Sequence, residues 1–475
     1  MSTSATTLKT WLGFMNMGQR SFQHRDLAAA VVAFGSATSL VPDSVEGWVN
    51  LGSAQFELKN FDLAATALKK AVELNPNLMV SHLILGDALR MLGQWHDAFN
   101  SYQTAVGLER TPLSLNKLAC ALRSQGDYDF AEGLLKESIT MDPTFTIARV
   151  NLATLQILLM RFGDAEAQLT EVSGLSLSPL EAEEIESAQL ALSEHKRLEE
   201  AISQLTTNQN PTLLETALRK IPAHLQQVDE KLMETLHRYA ESASTLDIDP
   251  IPIDPNLTAE WPQIEAMFMV PMVSNVNDYQ QLKKNRKLGT EPSLQLLQSF
   301  NMVQAIEAAR LCQSDLADPT KAEVHLRHWH ALAFNEVPGS LPGHFKYTQN
   351  INADVPTVLR VQPAFASATF RRFISDIYNE LSPGYPRAIT LLMALADLHL
   401  FADGNGRTAM TWLNRELEWA GLMPTIFSVQ LGFKGELGAE ERAARHKGGD
   451  LFQLALVLLQ AQNDAKNFCT KLTHI

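Results

Sequence analysis

The chain has 475 residues, of which 45% are hydrophobic and 19% charged, so we expect a folded protein with two or more domains. Acidic residues outnumber basic ones, 53 Asp and Glu against 39 Lys and Arg, which gives a formal net charge of −14. A nucleic-acid partner is disfavoured, because phosphate binding needs a concentrated basic surface. The three cysteines are far apart and lack metal-site spacing, which predicts a reducing compartment.

The sequence shows neither a secretory signal nor a membrane span. No basic stretch followed by an apolar run opens the chain. The most apolar stretch, residues 388–402, contains Asp397 and His399 and is too short to cross a bilayer. We therefore expect a cytoplasmic protein without a membrane partner. Export as an effector into a host cell, by a secretion system that needs no signal peptide, is an alternative.

The first third of the chain repeats with a period of 33 to 34 residues. One phase is always small and follows a large apolar residue: Gly18, Gly52, Gly86, Ala119 and Ala153. A second phase is always alanine: Ala30, Ala64, Ala98, Ala131 and Ala165. Small residues let the two helices of a hairpin approach closely, while large ones fill the groove between them. The pattern resembles the tetratricopeptide repeat and predicts about five units over residues 11–174.

Repeats of this kind stack into a superhelix with a concave face that usually binds a peptide or a partner protein. We expect this face to bind the protein substrate. A dimerisation surface, giving a homo-oligomer, and a spacer are the alternatives. Residues 175–248 keep a helical pattern without the repeat phase, which predicts capping and linking helices. Prolines in 249–255 then break the pattern, so we expect a further domain over residues 260–465.

The segment that carries the chemistry reads His399-Leu-Phe-Ala-Asp-Gly-Asn-Gly-Arg407. An apolar helix is predicted to end at His399. The two glycines on either side of Asn405 suit backbone angles with positive φ. A helix beginning at about Arg407 would place an anion-binding N-terminus beside the loop. Asp403 offers a carboxylate oxygen as a ligand for Mg²⁺, and Arg407 offers a guanidinium group that can donate two hydrogen bonds to phosphate oxygens. Since histidine can accept a hydroxyl proton near neutral pH, these groups suit phosphoryl-type transfer to a hydroxyl.

Seven of these positions match the signature of the Fic family, His-x-Phe-x-acid-Gly-Asn-Gly-Arg-x-x-Arg, up to its last arginine. Pro342-Gly-His-Phe-Lys-Tyr-Thr-Gln-Asn-Ile351 is similar to the family's flap, and Asn301 and Trp329-His330-Ala-Leu332 resemble two of its core helices. The resemblance covers about residues 261–459. It implies an all-α fold, in which a tetratricopeptide superhelix precedes an α-helical Fic core with a short β-hairpin flap.

The resemblance also implies a reaction and a role for each residue. His399 would be the general base, Asp403 would hold Mg²⁺, and Phe401 would anchor the loop. Four residues would bind the phosphates of the donor: Gly404, Asn405, Gly406 and Arg407. Four flap residues would align the target: Phe345, Lys346, Thr348 and Gln349. The implied reaction is magnesium-dependent transfer of AMP from ATP to a Ser, Thr or Tyr hydroxyl of a protein, with release of pyrophosphate.

One position departs from the signature, because Met410 stands where the second arginine is expected. In the family that arginine grips the terminal phosphate, and in many members it pairs with an inhibitory glutamate. The nearest candidate for the glutamate-bearing helix, residues 273–278, has Asn277 at the glutamate position. We therefore hypothesise an enzyme without this restraint. UTP, GTP, CTP and CDP-choline are alternative donors, and a non-catalytic nucleotide-binding scaffold is the alternative function.

Three histidines, His325, His328 and His330, cluster on a predicted helix. Their spacing is not that of a zinc-binding helix, which places two histidines four residues apart with a carboxylate. We expect them to be packed or surface residues.

Overall fold

The computed structural model describes residues 5–473, apart from residues 126, 173–176, 209, 223–225, 256, 258–259, 271–293, 313–315, 347–359, 362 and 429. The predicted site residues Thr348 and Gln349, and Asn277, therefore lie outside the described residues. The described part of the chain holds twenty-one α-helices and no β-strand, which confirms the all-α prediction. None of the described helices is both long and apolar enough to cross a membrane.

The first ten helices pair into five consecutive hairpins. Their bounds are α1 Ala5–Gln23, α2 Leu27–Leu40, α3 Val45–Glu57, α4 Phe61–Leu74, α5 Met79–Met91, α6 Trp95–Leu108, α7 Pro112–Gln125, α8 Tyr128–Met141, α9 Thr146–Leu158 and α10 Phe162–Val172. Pro42, Pro76 and Pro143 each follow the C-cap residue of the second helix of a hairpin. Proline lies just beyond these helices because it cannot continue them.

The small residues of the repeat lie where the two helices of a hairpin meet. A methyl group added to Gly52 would come within 2.5 Å of Leu68 Cγ, and one added to Gly86 within 2.5 Å of Tyr102 Cε1. The alanines of the second phase are at most 2% exposed: Ala30, Ala64, Ala98, Ala131 and Ala165. The packing predicted from the repeat phase is therefore present.

The chain divides into two compact units, Met1–Ile157 with Arg161–Gln189, and Leu158–Met160 with Leu190–Ile475. The division falls inside α11 (Pro179–Asn208), within the segment that we expected to cap and link. The helices that follow, α12 (Pro211–Leu218) and α13 (Glu230–Ser244), belong to the second unit. Side chains of α13 enter its hydrophobic core: Met233, Leu236, Tyr239 and Ala243.

The proline-rich segment 249–255 is not helical, as predicted, yet it is bound to the second unit. The Ile253 N–H donates to the Gly421 carbonyl at 2.9 Å, and the Met423 N–H donates to the Ile251 carbonyl at 2.8 Å. These bonds form an isolated antiparallel bridge. The prolines interrupt the helix because they lack N–H donors, while the residues between them still pair.

Eight further helices complete the second unit. They are α14 Trp261–Met269, α15 Leu294–Leu311, α16 Pro319–Ala333, α17 Ala366–Asp376, α18 Tyr385–Leu398, α19 Asn405–Trp419, α20 Glu436–His446 and α21 Phe452–Thr473. Helix α18 runs through the core, where residues 391–394 are fully buried. Helix α19 begins two residues earlier than predicted. It ends as expected at Gly421, whose positive φ of 73° closes a Schellman motif, with the Leu422 N–H on the Leu417 carbonyl.

The predicted flap is described only up to Lys346. The described flap residues form no strand, and the rest of the expected β-hairpin lies in residues 347–359, outside the described part. The Lys346 N–H donates to the Leu400 carbonyl at 2.8 Å, so the start of the flap runs beside the residues that follow α18.

Candidate functional site

His399 caps the C-terminus of α18 in a left-handed conformation, with φ 46° and ψ 58°. Its N–H still closes the last turn on the Leu395 carbonyl at 3.0 Å. This conformation is uncommon for any residue but glycine, and such strain tends to occur at functional sites. It turns the chain sharply out of the helix and into the loop 400–404.

Asn405 closes this loop on itself. Its side-chain Oδ1 accepts from the Phe401 N–H at 2.8 Å, and its Nδ2 donates to the Phe401 carbonyl at 2.7 Å. Both ends of the amide are therefore used within the loop. The predicted contribution of Asn405 to phosphate binding would come from its backbone N–H.

Different neighbours require glycine at the two positions 404 and 406 of the motif. Gly404 has the predicted positive φ, 78°, and a Cβ there would lie 2.2 Å from Phe334 Cε2. The same prediction is wrong for Gly406, which lies in the first turn of α19 with helical backbone angles. Phe433 requires glycine at this position, since a Cβ would come within 2.9 Å of its ring.

Phe401 anchors the loop through a stack of rings. It is 2% exposed, and its ring lies parallel to that of His330 at a centroid distance of 3.8 Å. The Phe345 ring lies with its centroid 5.2 Å away and its plane inclined by 70°. His330 Nε2 lies 3.0 Å from the Asp403 carbonyl, while Nδ1 accepts from the Gly343 N–H at 3.0 Å. His330 therefore links the loop to the start of the flap.

The sequence predicts His330 only as a packed or surface histidine, and it does not predict this link. Burial lowers the pKa of His330 to about 3, which keeps the ring neutral, with one nitrogen as donor and the other as acceptor. The available signal was its place in the Trp-His-Ala-Leu segment. That segment pointed to a core helix but not to a contact with the loop.

The first turn of α19 supplies backbone donors to the cleft. The first intrahelical bond runs from the Thr408 N–H to the Gly404 carbonyl, so the N–H groups of Asn405, Gly406 and Arg407 precede the helical ladder. Helix N-termini of this kind bind anions. Arg407 lies with Cζ 5.3 Å above the Phe334 ring, and its Nη1 has no hydrogen-bond partner among the described residues.

One cleft in the second unit, with a volume of ≈ 580 Å³, is lined by His399 and all the residues from 402 to 407. Its described lining includes two acidic residues, Asp403 and Glu441. Five cationic residues outnumber them: Arg360, Arg407, Lys434, Arg442 and Arg445. A concave surface with an excess of positive charge concentrates anions such as polyphosphates.

Two of these arginines are held by Asp397, which is 4% exposed and lies two residues before His399. Arg445 Nε donates to Asp397 Oδ1 at 2.6 Å, and Arg360 Nη1 lies 3.3 Å from the same oxygen. Tyr239 donates its hydroxyl to Asp397 Oδ2 at 2.8 Å. In the sequence, Asp397 stands out only as an interruption of an apolar stretch. Neither arginine could be predicted as its partner, because residues so far apart in the chain leave no local pattern.

The surroundings of His399 favour its neutral form. Burial first, and then the positive charges of Arg360 and Lys346, lower the pKa of His399 to about 4. At neutral pH the imidazole is therefore ready to accept a proton.

The flap residues that the structure describes are directed inward. Lys346 is 2% exposed and its Nζ faces the Leu398 carbonyl at 3.5 Å, while burial lowers its pKa to about 7. The Phe345 ring packs between Phe401 and Arg327, whose Cζ lies 3.8 Å from the ring centroid. A contact of Lys346 with a target would therefore involve its backbone, and the target-binding role of both residues stays a prediction.

Met410, at the position of the missing arginine, is 5% exposed and lines a smaller pocket together with Glu265 of α14. Glu265 Oε1 accepts from Asn414 Nδ2 at 2.8 Å. A glutamate therefore lines the same pocket as position 410, while the hypothesis of an enzyme without the inhibitory restraint stays a prediction. The glutamate comes from α14, upstream of the segment 273–278 where we sought it. No ion pair forms between the two positions, since Met410 carries no charge.

A magnesium ion could be bound at the cleft by Asp403. This side chain is exposed, and its Oδ1 accepts from the Gly404 N–H at 2.7 Å. Among the described residues no group of three or more His, Cys, Asp and Glu side chains could hold a metal ion. A single carboxylate fits Mg²⁺, which commonly takes its other ligands from substrate phosphates and water.

Three family models each match a limited range of the chain. Residues 320–417 match the model of the Fic/DOC family, and residues 45–78 and 114–146 each match a model of the tetratricopeptide repeat. No curated protein matches the sequence.

Three solved structures illustrate the similarity to repeat proteins. MamA is 23% identical, covering 36% of this chain and 99% of its own, with a TM-score of 0.32. TTC0263, a thermophilic TPR protein in Thermus thermophilus, is 21% identical, covering 38% of this chain and 99% of its own, with a TM-score of 0.34. YrrB, a TPR protein with an unusual peptide-binding site, is 17% identical, covering 37% of this chain and 90% of its own, with a TM-score of 0.31.

On the family matches and the helical architecture, the chain is a Fic-domain protein with N-terminal tetratricopeptide repeats.

Proposed function

We propose that the Fic domain transfers AMP from ATP, with Mg²⁺, to a Ser, Thr or Tyr hydroxyl of a target protein. The observation that carries the proposal is the position of His399. A neutral imidazole at the C-terminus of α18 lines the same cleft as the N-terminus of α19, and the charged residues of that cleft are mostly cationic. The match to the Fic/DOC family supports a transferase.

In the proposed reaction the target hydroxyl oxygen attacks the α-phosphorus of the donor while His399 accepts the hydroxyl proton. The bond between the α-phosphorus and its bridging oxygen breaks, and pyrophosphate leaves with that oxygen. Arg407 and the N–H groups of the first turn of α19 stabilise charge on the phosphate oxygens. Asp403 would hold Mg²⁺, which supplies further charge neutralisation when bound. Most of the rate would come from positioning and charge stabilisation.

We propose that the repeat array binds the target protein and that the flap orients its modified segment. Arrays of this kind present an extended binding surface, and backbone pairing with a flap can align a hydroxyl without reading its side chains.

A donor screen tests the reaction. The protein is incubated with labelled ATP, UTP, GTP, CTP or CDP-choline, with Mg²⁺ and with or without lysate. We expect label on a protein from ATP, and His399→Ala to reduce it by about 10²-fold or more, the usual contribution of a general base. His237→Ala, which removes an exposed histidine of α13, is the matched control and should leave labelling intact.

The screen also separates the alternatives. Label from another donor, lost in His399→Ala, would keep the transferase and replace ATP. No label from any donor, together with nucleotide-dependent thermal stabilisation, would favour a non-catalytic nucleotide-binding scaffold.

A further inference from the structure

The second unit contains a small cavity that is separate from the cleft lined by His399. The start of the flap lines it, and no residue that the structure describes lines both cavities. All of its described lining residues belong to the second unit. Its volume is ≈ 80 Å³, which is space for about six water-sized groups at roughly 10–15 Å³ each. A small ion fits this space, whereas a nucleotide does not.

This cavity, which we call the basic pocket, has cationic and polar side chains in its lining. The basic lining residues are His195, Arg327, His344, Lys346 and Arg371. The described lining also includes Gln226 and Ser367 but no Asp or Glu. A concave surface with this balance of charge concentrates anions.

Two arginines of the basic pocket share one carboxylate. Arg327 on α16 donates from Nε and Nη2 to Glu323 Oε1 at 2.8 and 2.6 Å, and Arg371 Nε on α17 lies 3.0 Å from Oε2. Glu323 is fully buried, and burial alone would raise its pKa, but the two arginines hold that pKa below its usual value. The carboxylate is therefore ionised and balances one of the two positive charges. A buried charge without a partner is unfavourable, so the second positive charge favours a bound anion.

Ser367 holds the second arginine in place. Its Oγ donates to Glu323 Oε2 at 2.8 Å and accepts from Arg371 Nη2 at 3.0 Å. The Arg371 side chain is 13% exposed, so most of it is shielded from water. A guanidinium positioned in this way loses little conformational freedom when it binds an oxyanion.

Two histidines add neutral hydrogen-bonding groups to the basic pocket. Burial first, and then the charge of Arg327, lower the pKa of His195 and that of His344 to about 4. Both rings are therefore neutral at pH 7, and a neutral ring carries one N–H donor. His195 belongs to α11 and His344 to the start of the flap. Four parts of the second unit thus bring positive charge or N–H donors to one small pocket.

We propose that the basic pocket binds one free tetrahedral oxyanion, inorganic phosphate or sulfate, between Arg327 and Arg371. Guanidinium groups donate paired hydrogen bonds to the oxygens of such ions. Arg327 Cζ also lies 3.8 Å from the ring centroid of Phe345, and that ring packs against Phe401 in the loop 400–404. A bound ion would therefore stabilise the start of the flap beside this loop. The inference does not rest on the proposed transfer reaction.

Calorimetry with sulfate, at an ionic strength held constant with sodium chloride, tests the basic pocket without relying on turnover. The titrations use the full chain carrying Arg407→Ala, which weakens anion binding in the cleft. In this background we expect one saturable site. Adding Arg371→Gln should weaken sulfate at least about tenfold, as for one lost hydrogen bond from a charged donor.

Arg372→Gln is the matched control for this charge change. Arg372 is the next residue of α17, is exposed, and pairs with Glu230 and Asp376 instead of Glu323. It does not line the basic pocket. We expect Arg372→Gln to leave the affinity for sulfate unchanged.

Two further variants separate binding from folding, because Arg371→Gln also takes a partner from Glu323. Arg371→Lys keeps the positive charge and should retain more of the affinity for sulfate than Arg371→Gln. Ala364→Glu keeps both arginines and adds a carboxylate at a half-buried lining position, so it should weaken sulfate at least about tenfold. A melting curve for each variant confirms that it is folded.

A comparison of ligands identifies the occupant. Inorganic phosphate and O-phosphoserine carry the same tetrahedral group, free in the first and esterified in the second. Because the basic pocket has little space beyond one such group, we expect phosphate to bind more tightly than O-phosphoserine.

The opposite results would overturn the proposal. Sulfate binding that Arg407→Ala abolishes would place the ion in the cleft instead. Sulfate binding that neither Arg371→Gln nor Ala364→Glu weakens would reject the basic pocket as its site. O-phosphoserine binding as tightly as phosphate would reject a free ion as the occupant. Label transfer is measured separately in the donor screen, so failure of the proposed reaction and failure of this inference remain distinguishable.

Discussion

The positive charges near His399 have two effects. Arg360 and Lys346 lie close enough to lower the pKa of its imidazole, and Arg360 also lines the cleft in which we propose that the donor phosphates bind. Positive neighbours disfavour imidazolium and favour bound phosphate for the same electrostatic reason. In these surroundings the His399 imidazole is deprotonated at neutral pH.

The lowered pKa of His399 predicts an unusual pH profile. A general base acts in its deprotonated form, so lowering its pKa from 6.5 to about 4 extends the active range downward. We expect kcat/KM for transfer to stay nearly constant between pH 7.5 and pH 5.5, whereas a base with the ordinary pKa would lose about tenfold. Steady-state rates in a constant-ionic-strength buffer series measure this.

Arg360→Gln supplies the comparison. Removing a neighbouring positive charge raises the pKa of His399, so the variant should lose more of its kcat/KM than the wild type at pH 5.5. Protonation of the donor phosphates affects both proteins equally and cancels in the ratio. Parallel profiles for the two proteins would contradict the electrostatic account.

At the scale of helices and loops, local patterns were predictable and long-range ones were not. The repeat phase and the motif from His399 to Arg407 have fixed spacing, so they located the hairpins, the loop and its following helix. The helical backbone of Gly406 depends on where α19 begins, and its small size depends on Phe433. Glu265 and Met410 line one pocket although 145 positions of sequence separate them, and how α14 packs decides this, not a motif.

The close helix contacts of the repeats predict opposite effects for two glycine substitutions. Gly86→Ala places a methyl group 2.5 Å from Tyr102 Cε1, and that ring is held by its hydroxyl bond to Asp87. We expect a loss of about 1–3 kcal/mol in the free energy of unfolding. Gly133→Ala, in an exposed turn of α8 with nothing within 4 Å, should gain up to about 1 kcal/mol from helix propensity.

Urea unfolding followed by circular dichroism measures both variants. The sign of each change is decisive, since helix propensity alone would make both substitutions stabilising. A stabilised Gly86→Ala would show that the hairpin tolerates a wider helix separation than the structure has.

For the molecule as a whole, each unit buries a core of its own. A cluster including Leu68, Leu89 and Tyr102 lies in the repeats, and one including Leu392, Trp412 and Leu413 lies in the second unit. All the described residues of the cleft that His399 lines belong to the second unit. Nucleotide binding should therefore stabilise a limited part of the chain.

Hydrogen exchange can locate that part. A ligand that binds only the native state raises the free energy of openings that destroy its site by RT ln(1 + [L]/Kd), about 2.7 kcal/mol at a hundredfold excess over Kd. With Mg²⁺ and the nucleotide of highest affinity, we expect slower exchange in peptides spanning residues 400–411 and 434–446 and no change in residues 45–125. Arg407→Ala should lose the protection, because the first turn of α19 then lacks its guanidinium. Protection confined to the repeats at saturating nucleotide would place the nucleotide site in the other unit.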